Sequence, residues 1–358
     1  MRRILLITHM YSHNSGDLLI SESLSADAES RSGWQVERLP FLYYNGMKGS
    51  KWLNGLLGLG RVYRAVRRND AVVIAGGNLV IPRVLRFAVS FFVYCLVAFL
   101  LRRNLYTAFM GASSRSSWIG GKLYGLGFKM TKANWARDGH SMEVINRIAN
   151  RSDTRLSPDG AFFCTWECQA GRGNGNRLAI VPFAHEELFW NERLTSISLQ
   201  TYEAQYQELV GELKERGWDV RIIVTSEVDR TFGEKLAHAH DLQLFQPDDG
   251  VALLETVCDS CDVLVSTRMH GLIAGMLSGK VVIPVAGQHK VSALFGMISP
   301  EIEVPVQRVD EGLKDRIITL LRDGKGFVLS PETRARLLDE LHAVWDSIDQ
   351  DLARAGIE

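Results

Sequence analysis

Short apolar runs alternate with longer amphipathic stretches along nearly the whole chain. The apolar runs are four to six residues long, contain many β-branched residues, and end at glycine or at a polar residue. That pattern is typical of strands buried in a parallel sheet, and the stretches between the runs are long enough for helices. The alternation therefore predicts an α/β fold in which helices cover both faces of parallel sheets.

The predicted elements fall into two groups. In the first group, strands are expected at residues 3–8, 71–75, 105–110 and 133–136, and helices at 53–68, 87–101 and 118–130. In the second group, strands are expected at residues 178–182, 220–224, 242–245, 263–266 and 281–285, and helices at 199–216, 229–238, 250–258 and 272–278. Two more helices, at residues 312–322 and 331–355, close the chain.

A loop separates the two groups. Residues 171–177 read GRGNGNR, a composition typical of a flexible linker. The chain has 358 residues, which is enough for two domains. We predict an N-terminal α/β domain over residues 1–170, a C-terminal α/β domain over 178–330 and a closing helix over 331–358. Two Rossmann-like, doubly wound domains facing a central cleft resemble the glycosyltransferase-B-like architecture, an analogy at the level of the fold.

One apolar segment raises the question of membrane contact. Residues 87–101 carry no charge and are flanked by Arg86 and by Arg102 and Arg103. A spanning helix needs about 20 apolar residues, so we predict a helix buried in the protein core. Contact with a membrane surface and a true membrane span are the two alternatives.

Two further features bear on location. The apolar run at residues 4–7 is too short for a signal peptide, so we expect a cytoplasmic protein. The helix predicted at residues 53–68 carries a basic face, for which solvation is the favoured interpretation. Contact of this face with anionic headgroups is the alternative, and it would associate the protein with the inner face of the membrane. The basic residues are Arg61, Arg64, Arg67 and Arg68.

Composition and charge narrow the classes of function. The chain is 46% hydrophobic and carries 41 basic and 41 acidic residues, so it is neither disordered nor attracted as a whole to nucleic acid. Any anion must therefore bind to a local cluster. The four cysteines at positions 164, 168, 258 and 261 have spacings that a zinc site could use. Because the spacings are loose, we expect unpaired, buried cysteines instead and predict no metal site.

Polar residues follow two predicted strands of the first group. Asn14 and Asp17 lie in a short turn after the first strand, which suits a helix N-cap or contact with a sugar or anion. Gly76, Gly77 and Asn78 follow the strand at residues 71–75, where paired glycines let a ligand approach the backbone closely. Ligands of open parallel sheets lie beyond the carboxyl ends of the strands, so both segments are candidate substrate-binding loops.

A third strand of the first group ends in a charged pair. Arg137 and Asp138 follow the strand at residues 133–136, and Ser141 is predicted to cap the next helix. A local ion pair is one interpretation of Arg137. The other is a guanidinium that binds a carboxylate or a phosphate at the end of the sheet.

Cationic side chains follow two consecutive strands of the second group. Arg268 and His270 come directly after the strand at residues 263–266, and Lys290 comes shortly after the next strand. Consecutive strands are usually neighbours in the sheet, so these side chains are expected at one edge. Cationic groups beside a helix N-terminus form an anion-binding site.

Six short motifs resemble, in their order and spacing, the polysaccharide pyruvyl transferase family. They are Asn14-Ser15-Gly16-Asp17, Gly76-Gly77, Arg137-Asp138-Gly139-His140-Ser141, Asp159-Gly160-Ala161-Phe162, Ser266-Thr267-Arg268-Met269-His270 and His289-Lys290-Val291. The sequence departs from the family pattern at Gln288-His289, where the family often has an aromatic or acidic pair, and at Gly271. The first departure bears on the acceptor pocket.

The resemblance implies an enzyme that transfers the enolpyruvyl group of phosphoenolpyruvate to two hydroxyls of a sugar. The products are a pyruvate ketal and phosphate, and the acceptor is a sugar or a lipid-linked oligosaccharide precursor of a cell-surface polysaccharide. The C-terminal domain is implied to bind the donor and the N-terminal domain the acceptor. Phosphoenolpyruvate is a substrate, so neither a cofactor nor a metal is implied, and no nucleic acid partner is expected.

The resemblance also implies roles for individual residues. His270, Arg268 and Lys290 are the implied catalytic residues. Histidine can act as the acid that protonates the donor methylene or as the base for an acceptor hydroxyl, and the sequence leaves both open. Arg137 is implied to bind the donor anion together with Arg268 and Lys290. The remaining substrate-binding residues are Asp138, Asn14, Asp17, Gly76, Gly77 and Asn78.

Two other functions remain open at this point. A glycosyltransferase of the same architecture could hold the diphosphate of a nucleotide sugar with these cations, and Glu227 and Asp229 are placed to bind a ribose. Tight binding of a nucleotide would favour the glycosyltransferase. A non-catalytic assembly protein could use residues 87–101 as an interfacial anchor. Membrane partitioning without binding of any small anion would favour that hypothesis.

Overall fold

A computed structural model describes residues 1–42, 51–114, 117–168, 175–184, 197–298 and 306–357, without the side chains of 51–56. These residues form two compact units. Unit 1 comprises Met1–Ser12, Ile20–Cys164 and Ala335–Glu358, and unit 2 comprises His13–Leu19 and Thr165–Arg334. Residues 171–174 of the predicted linker lie outside the described part of the chain.

Unit 1 contains a six-stranded parallel sheet in the order β2-β1-β3-β4-β5-β6. The strands are β1 Arg2–Thr8, β2 Trp34–Pro40, β3 Ala71–Ala75, β4 Asn104–Met110, β5 Ala133–Ala136 and β6 Arg155–Leu156. The helices are α1 Ser15–Ser30, α2 Lys51–Arg68, α3 Leu85–Leu100, α4 Trp118–Lys129, α5 Gly139–Ala149 and α12 Pro331–Arg354, with the first residues of α1 and α12 assigned to unit 2.

Helices cover both faces of the unit 1 sheet. Apolar residues of α2, α3, α4 and α5 share one buried core with alternate residues of the strands. On the other face, Tyr106 of β4 donates a hydrogen bond to Asp351 of α12 at 2.5 Å. Trp345 of α12 packs on Phe109 and donates its indole N–H to Asp27 of α1 at 2.9 Å. Two-sided burial explains why these strands read as continuous apolar runs.

Unit 2 contains a second six-stranded parallel sheet, in the order β12-β11-β10-β7-β8-β9. Its strands are β7 Arg177–Val181, β8 Asp219–Ile223, β9 Gln243–Phe245, β10 Val263–Ser266, β11 Val281–Ala286 and β12 Gln307–Arg308. Its helices are α6 Leu199–Glu215, α7 Arg230–His240, α8 Gly250–Ser260, α9 Met269–Leu277, α10 His289–Ile298 and α11 Leu313–Arg322. Read from β9, this is the Rossmann strand order, and the order reverses between β7 and β10.

The predicted fold class of two Rossmann-like parallel sheets is confirmed, and each predicted strand is present within two residues of its expected ends. The sequence did not predict the strand β2 or the helix α10, and for α1 and α5 it predicted the start of a helix but not its extent. α1 is rich in serine and lacks a clear apolar stripe, and β2 alternates polar and apolar residues at the sheet edge. The helix α9 begins at Met269, three residues before its predicted start.

The two units divide the chain differently from the predicted domains, and the middle segment of unit 1 ends at Cys164 and not at residue 170. The predicted closing helix corresponds to α12, most of which belongs to unit 1, where Trp345 is fully buried and Trp34 donates its indole N–H to Asp349. The segment His13–Leu19, expected in the N-terminal domain, belongs to unit 2. Its backbone is hydrogen-bonded to the loop that follows β8.

The charge-free segment forms the helix α3, which is half covered by the protein. Its inner side packs Phe87, Phe91 and Tyr94 into the unit 1 core, whereas Phe99 and Leu100 are 60% and 68% exposed. The prediction of a buried helix is therefore correct for one side of α3. Within the described residues, no helix is both long enough and apolar enough to cross a membrane.

The cysteines are only partly as expected. Cys261 is unpaired and buried, as predicted, whereas Cys164 is only half-buried. Cys95, which the prediction did not include, is also unpaired and buried. Cys168 and Cys258 form a disulfide, so the expectation of unpaired thiols is wrong for this pair. The disulfide also uses two of the four thiols that a zinc site would have needed. The sequence spacing could not reveal it, because the two partners lie 90 positions apart.

An ion pair ties the start of β7 to the start of β10 and should give stability a specific dependence on pH. The carboxylate of Asp262 accepts hydrogen bonds from the Arg177 backbone N–H at 3.3 Å and from its Nη2 at 2.8 Å. These hydrogen bonds lower the pKa of Asp262 below its usual value of 3.8. The stabilisation is therefore fully present above pH 3.8 and is lost as the pH falls below that value.

We expect Asp262→Asn to lower the free energy of unfolding at pH 7 by about 1–2 kcal/mol, because the hydrogen bonds to a charged acceptor are lost. The deficit relative to the wild type should shrink below pH 3.8. Urea denaturation between pH 7 and pH 3 measures both effects. Asp259→Asn is the matched control, because the Asp259 side chain is exposed. A deficit that stays constant over this pH range would contradict the assignment.

Candidate active site

The main candidate site lies where the strand order of unit 2 reverses. β7 and β10 are paired in register, with Val181 opposite Ser266. Thr267 extends the pairing, since its backbone N–H and its hydroxyl both donate to the carbonyl of Val181, at 3.1 and 3.0 Å. Phe183 therefore leaves β7 at the level where Arg268 leaves β10. This reversal point is the usual ligand position of open α/β sheets.

Arg268 is held there by a carboxylate and an aromatic ring. Its Nε and Nη2 each donate to the Asp229 carboxylate at 2.7 Å, a bidentate ion pair. Its guanidinium carbon lies 3.9 Å from the centre of the Phe183 ring. The whole residue is buried. Arg268 thus has a single fixed orientation, and its charge is offset by a partner that the sequence did not reveal.

Asp229 is fully buried in a short 3₁₀ turn, Glu227–Asp229, that leads into α7. Besides the two bonds from Arg268, its Oδ1 accepts the backbone N–H of Ala184 at 2.8 Å. Three donors therefore converge on one carboxylate. This arrangement connects the segment after β7, the segment after β8 and the segment after β10.

The backbone around Arg268 requires small neighbours. The hydroxyl of Ser266 accepts the Arg268 N–H at 3.1 Å and donates to the Arg268 carbonyl at 2.8 Å. A Cβ on Gly271 would lie 2.7 Å from that hydroxyl oxygen. The family departure at Gly271 therefore has a local cause, which is close packing of the first turn of α9 against Ser266.

His270 lies within the first turn of α9 and not ahead of the helix as predicted. The residue is buried. The backbone of Gly16 packs directly on it, because a Cβ on Gly16 would lie 2.4 Å from both Cβ and Nδ1 of His270. Glycine at position 16 is therefore needed for close contact between the Asn14–Asp17 turn and the imidazole.

The turn that contacts His270 is fixed at both ends. Asn14 accepts the Gly16 N–H on its side-chain oxygen at 2.9 Å, as a helix cap does, and it forms an isolated bridge with Ser226. Both the backbone N–H and the hydroxyl of Ser15 donate to the carbonyl of Thr225, at 3.0 and 3.2 Å. Asp17 follows in the first turn of α1, where a negative charge favours the helix dipole.

Lys290 lies at the carboxyl end of the neighbouring strand. β11 pairs with β10 in parallel, and Lys290 is half-buried in the first turn of α10, which begins three residues after β11 ends. The structure therefore brings Arg268, His270 and Lys290 to one end of the unit 2 sheet, as the sequence predicted. α9 begins without a side-chain cap, and the N–H groups of a helix's first turn carry partial positive charge.

A second constellation lies in unit 1 at the end of β5. Arg137 is buried, with its Nη1 3.1 Å from Asp159 and its Nε 3.5 Å from Asp138. The Asp138 side chain accepts the Ser141 N–H at 2.6 Å and caps α5. The prediction that Ser141 caps this helix is therefore wrong. Two carboxylates flank the guanidinium, so the local ion pair is the interpretation that this geometry supports.

A bulge in β4 adjoins Arg137, whose backbone N–H donates to the carbonyl of Met110 at 3.0 Å. The register of β4 on β5 shifts between Thr107 and Met110, and Phe109 adopts a left-handed conformation with φ 57°. Such a conformation costs about 1–3 kcal/mol for a residue other than glycine. Gly111 follows, and a Cβ there would lie 2.6 Å from the Arg137 guanidinium carbon.

The paired glycines after β3 adjoin the same bulge. Gly76 and Gly77 have φ of 77° and 69°, a region that glycine adopts without strain. Gly77 accepts the N–H of Gly111 at 2.8 Å, which links the two loops. A Cβ on Gly76 would meet Ile20 of α1 at 2.5 Å, so part of the reason for glycine is close helix packing. Asn78 follows and is half-buried.

Three residues of these constellations were missing from the sequence-based site, namely Asp229, Gly16 and Asp159. Gly16 and Asp159 lay inside recognised motifs, and Asp229 had been noted only as a ribose contact. Their importance depends on distances between residues far apart in the chain. Within the described residues, no group of three or more histidine, cysteine, aspartate or glutamate side chains could hold a metal ion.

Solved structures with the same fold cover nearly the whole chain. A Listeria monocytogenes protein described as a UDP-N-acetylglucosamine 2-epimerase superposes with a TM-score of 0.59 at 12% identity, covering 94% of this chain and 91% of its own. S. aureus MnaA in complex with UDP superposes with a TM-score of 0.58 at 10% identity, covering 100% of this chain and 98% of its own. The UDP-GlcNAc 2-epimerase of Neisseria meningitidis bound to UDP-GlcNAc superposes with a TM-score of 0.54 at 9% identity, covering 98% of this chain and 100% of its own. The fold is therefore glycosyltransferase-B-like.

The sequence itself identifies the family. The family model for polysaccharide pyruvyl transferases matches residues 12–289, which includes every motif except the final lysine segment. The chain belongs to the polysaccharide pyruvyl transferase family, a family of transferases in polysaccharide biosynthesis. No curated protein sequence matches the chain.

Proposed function

We propose that the protein transfers the enolpyruvyl group of phosphoenolpyruvate to two hydroxyls of a sugar, forming a pyruvate ketal and releasing phosphate. The observation that carries the proposal is the convergence of Arg268, His270 and Lys290 at one end of the unit 2 sheet, within a chain of this family. The acceptor is a sugar or a lipid-linked oligosaccharide precursor of a cell-surface polysaccharide. The reaction takes place in the cytoplasm.

Binding of the donor follows from charge. Phosphoenolpyruvate carries a phosphate and a carboxylate, and each charge-assisted hydrogen bond to them contributes about 1.5–3 kcal/mol. Lys290 and the N–H groups at the start of α9 supply positive charge at this end of the sheet. Asp229 holds Arg268 in place and offsets its charge. Arg268 therefore contributes to donor binding more through the fixed orientation of its guanidinium than through its net charge.

The chemistry needs one proton donor and two proton acceptors. A proton added to the methylene carbon creates a cationic centre, which the first hydroxyl attacks. Phosphate then leaves with the electron pair of its C–O bond, and the second hydroxyl closes the ketal. Two hydroxyl protons are released, one of which balances the new C–H bond while the other leaves with phosphate. Histidine can give or take such a proton, and we assign this role to His270.

Nucleotide-sugar transfer is the alternative. The structures of similar fold from S. aureus and Neisseria meningitidis contain UDP and UDP-GlcNAc. In this chain, however, Asp229 is fully buried and occupied by three donors, which argues against a role in holding a ribose. Glu227 remains exposed nearby.

Thermal unfolding with added ligands tests the donor. A ligand at 100 times its dissociation constant should add about 2.7 kcal/mol of stability. We expect phosphoenolpyruvate to stabilise the wild type, and Lys290→Ala and Arg268→Lys to lose most of that shift. Lys325→Ala is the matched control, because Lys325 is an exposed cation of unit 2. Stabilisation by UDP but not by phosphoenolpyruvate would support nucleotide-sugar transfer, and no shift with either would contradict the proposed donor.

A further inference from the structure

The exposed apolar side chains of unit 1 are concentrated on three adjacent helices. Ten of the seventeen large hydrophobic side chains that are exposed among the described residues lie on α2, α3 and α4. They are Leu57, Leu59, Tyr63, Leu85, Val89, Phe99, Leu100, Trp118, Ile119 and Leu126. The three helices share one core over the same face of the sheet, and α3 packs against both α2 and α4. Their outward sides therefore form one surface, which we call the α2–α4 face.

The exposed side chains on α3 follow a regular stripe. Leu85, Val89, Phe92, Leu96 and Phe99 recur at the spacing of one helix face, and each is exposed or half-buried. The opposite side of α3 is also apolar and forms part of the core. A helix that is apolar all round usually has both sides covered, and here the protein covers only one.

Charged residues are also distributed unevenly along the chain. Residues 39–137 contain fifteen lysine and arginine residues and a single acidic residue, Asp70. The rest of the chain holds the other 26 basic and 40 acidic residues, so the zero net charge hides a strongly basic segment. No acidic residue lies on α2, α3 or α4. Exposed bases stand among the apolar residues, and the ammonium of Lys122 lies 3.7 Å from the centre of the Trp118 ring.

We propose that the α2–α4 face docks the protein on the surface of a bilayer that contains anionic phospholipids. Apolar and aromatic side chains reach the boundary between headgroups and acyl chains, while the interspersed bases attract the negative headgroups. A second copy of the chain fits less well, because a symmetric dimer would place this basic face against itself. The inference does not depend on the donor chemistry, since it concerns a different surface of unit 1.

Vesicle flotation of the full chain tests the inference. We expect at least about tenfold tighter binding to vesicles of phosphatidylcholine with phosphatidylglycerol than to phosphatidylcholine alone, and weaker binding as salt is raised. Two double variants should each weaken binding about tenfold or more, namely Trp118→Gln with Ile119→Gln and Lys122→Glu with Lys129→Glu. All four side chains are exposed, so the thermal unfolding midpoint should remain that of the wild type.

The matched control is Val228→Gln with Val251→Gln, two exposed apolar residues of unit 2 that should leave binding unchanged. Three results would overturn the inference. The first is equal binding to neutral and anionic vesicles, and the second is wild-type binding by both double variants on the face. The third is a dimer that these variants dissociate and that does not bind vesicles, which would identify a second copy as the occupant.

Discussion

Gly16→Ala should cost about 1–3 kcal/mol of stability through overpacking, and it should lower the rate of transfer by about 100-fold. The new methyl carbon would lie 2.4 Å from Cβ and Nδ1 of His270, which is closer than real side-chain contacts allow. The turn cannot retreat easily, because Ser15 is hydrogen-bonded to Thr225. The imidazole must therefore move, and a proton-transfer group displaced by about 1 Å loses most of its effect.

A double-mutant cycle isolates this contact. If the clash with His270 is the cause, Gly16→Ala should cost little in a His270→Gly background, because that change removes the clashing Cβ, Cγ and Nδ1 atoms. Chemical denaturation of the four proteins gives the coupling free energy. Gly296→Ala is the control, because a Cβ at that position meets nothing within 4 Å. An equal cost in both backgrounds would show that His270 is not what requires glycine at position 16.

Asp229→Asn should be among the most destabilising single substitutions in the chain, with a loss of about 3–5 kcal/mol. The change leaves the buried guanidinium of Arg268 without its counter-charge, and an amide cannot accept all three donors that converge on the carboxylate. Because Asp229 joins the segments after β7, β8 and β10, the loss should also reduce the affinity for phosphoenolpyruvate.

Two further variants test whether the loss comes from the buried ion pair. Glu227→Gln removes an exposed carboxylate two residues away and should change stability by less than about 0.5 kcal/mol. Adding Arg268→Met to Asp229→Asn removes the unpaired charge and should restore part of the lost stability. Urea unfolding of the three variants measures the pattern. A stability of Asp229→Asn close to that of the wild type would mean that the buried pair contributes nothing to the fold.

The sequence predicted the parallel strands well because both faces of each sheet are buried. Val72 and Ile74 face one side of β3 and Val73 the other, and all three are fully buried, so the strand reads as an apolar run. Prediction failed where burial is one-sided or packing is between small residues. β2 lies at a sheet edge, where Gln35 is exposed and Glu37 and Arg38 are half-buried. α1 packs serines and alanines against its neighbours.

The cationic residues of the candidate site could be predicted from the sequence, but the residues that pair with them could not. Arg268, His270 and Lys290 could be placed because residues after adjacent parallel strands share one sheet edge. Asp229 lies 39 positions from Arg268, and no periodicity or spacing links the two. The same holds for Arg137 and Asp159, which lie 22 positions apart and pair beside the β4 bulge and Gly111. The roles of these residues in catalysis remain predictions.

Product formation from labelled phosphoenolpyruvate tests the proposed activity most directly. The full chain would be incubated with carbon-13-labelled phosphoenolpyruvate and a mixture of nucleotide-linked and lipid-linked sugars, and the products followed by NMR and by phosphate release. We expect the label to appear in an acid-labile ketal, with one phosphate released per ketal and the signal lost in His270→Ala. Label that remains in phosphoenolpyruvate while a nucleotide sugar is consumed would contradict the account.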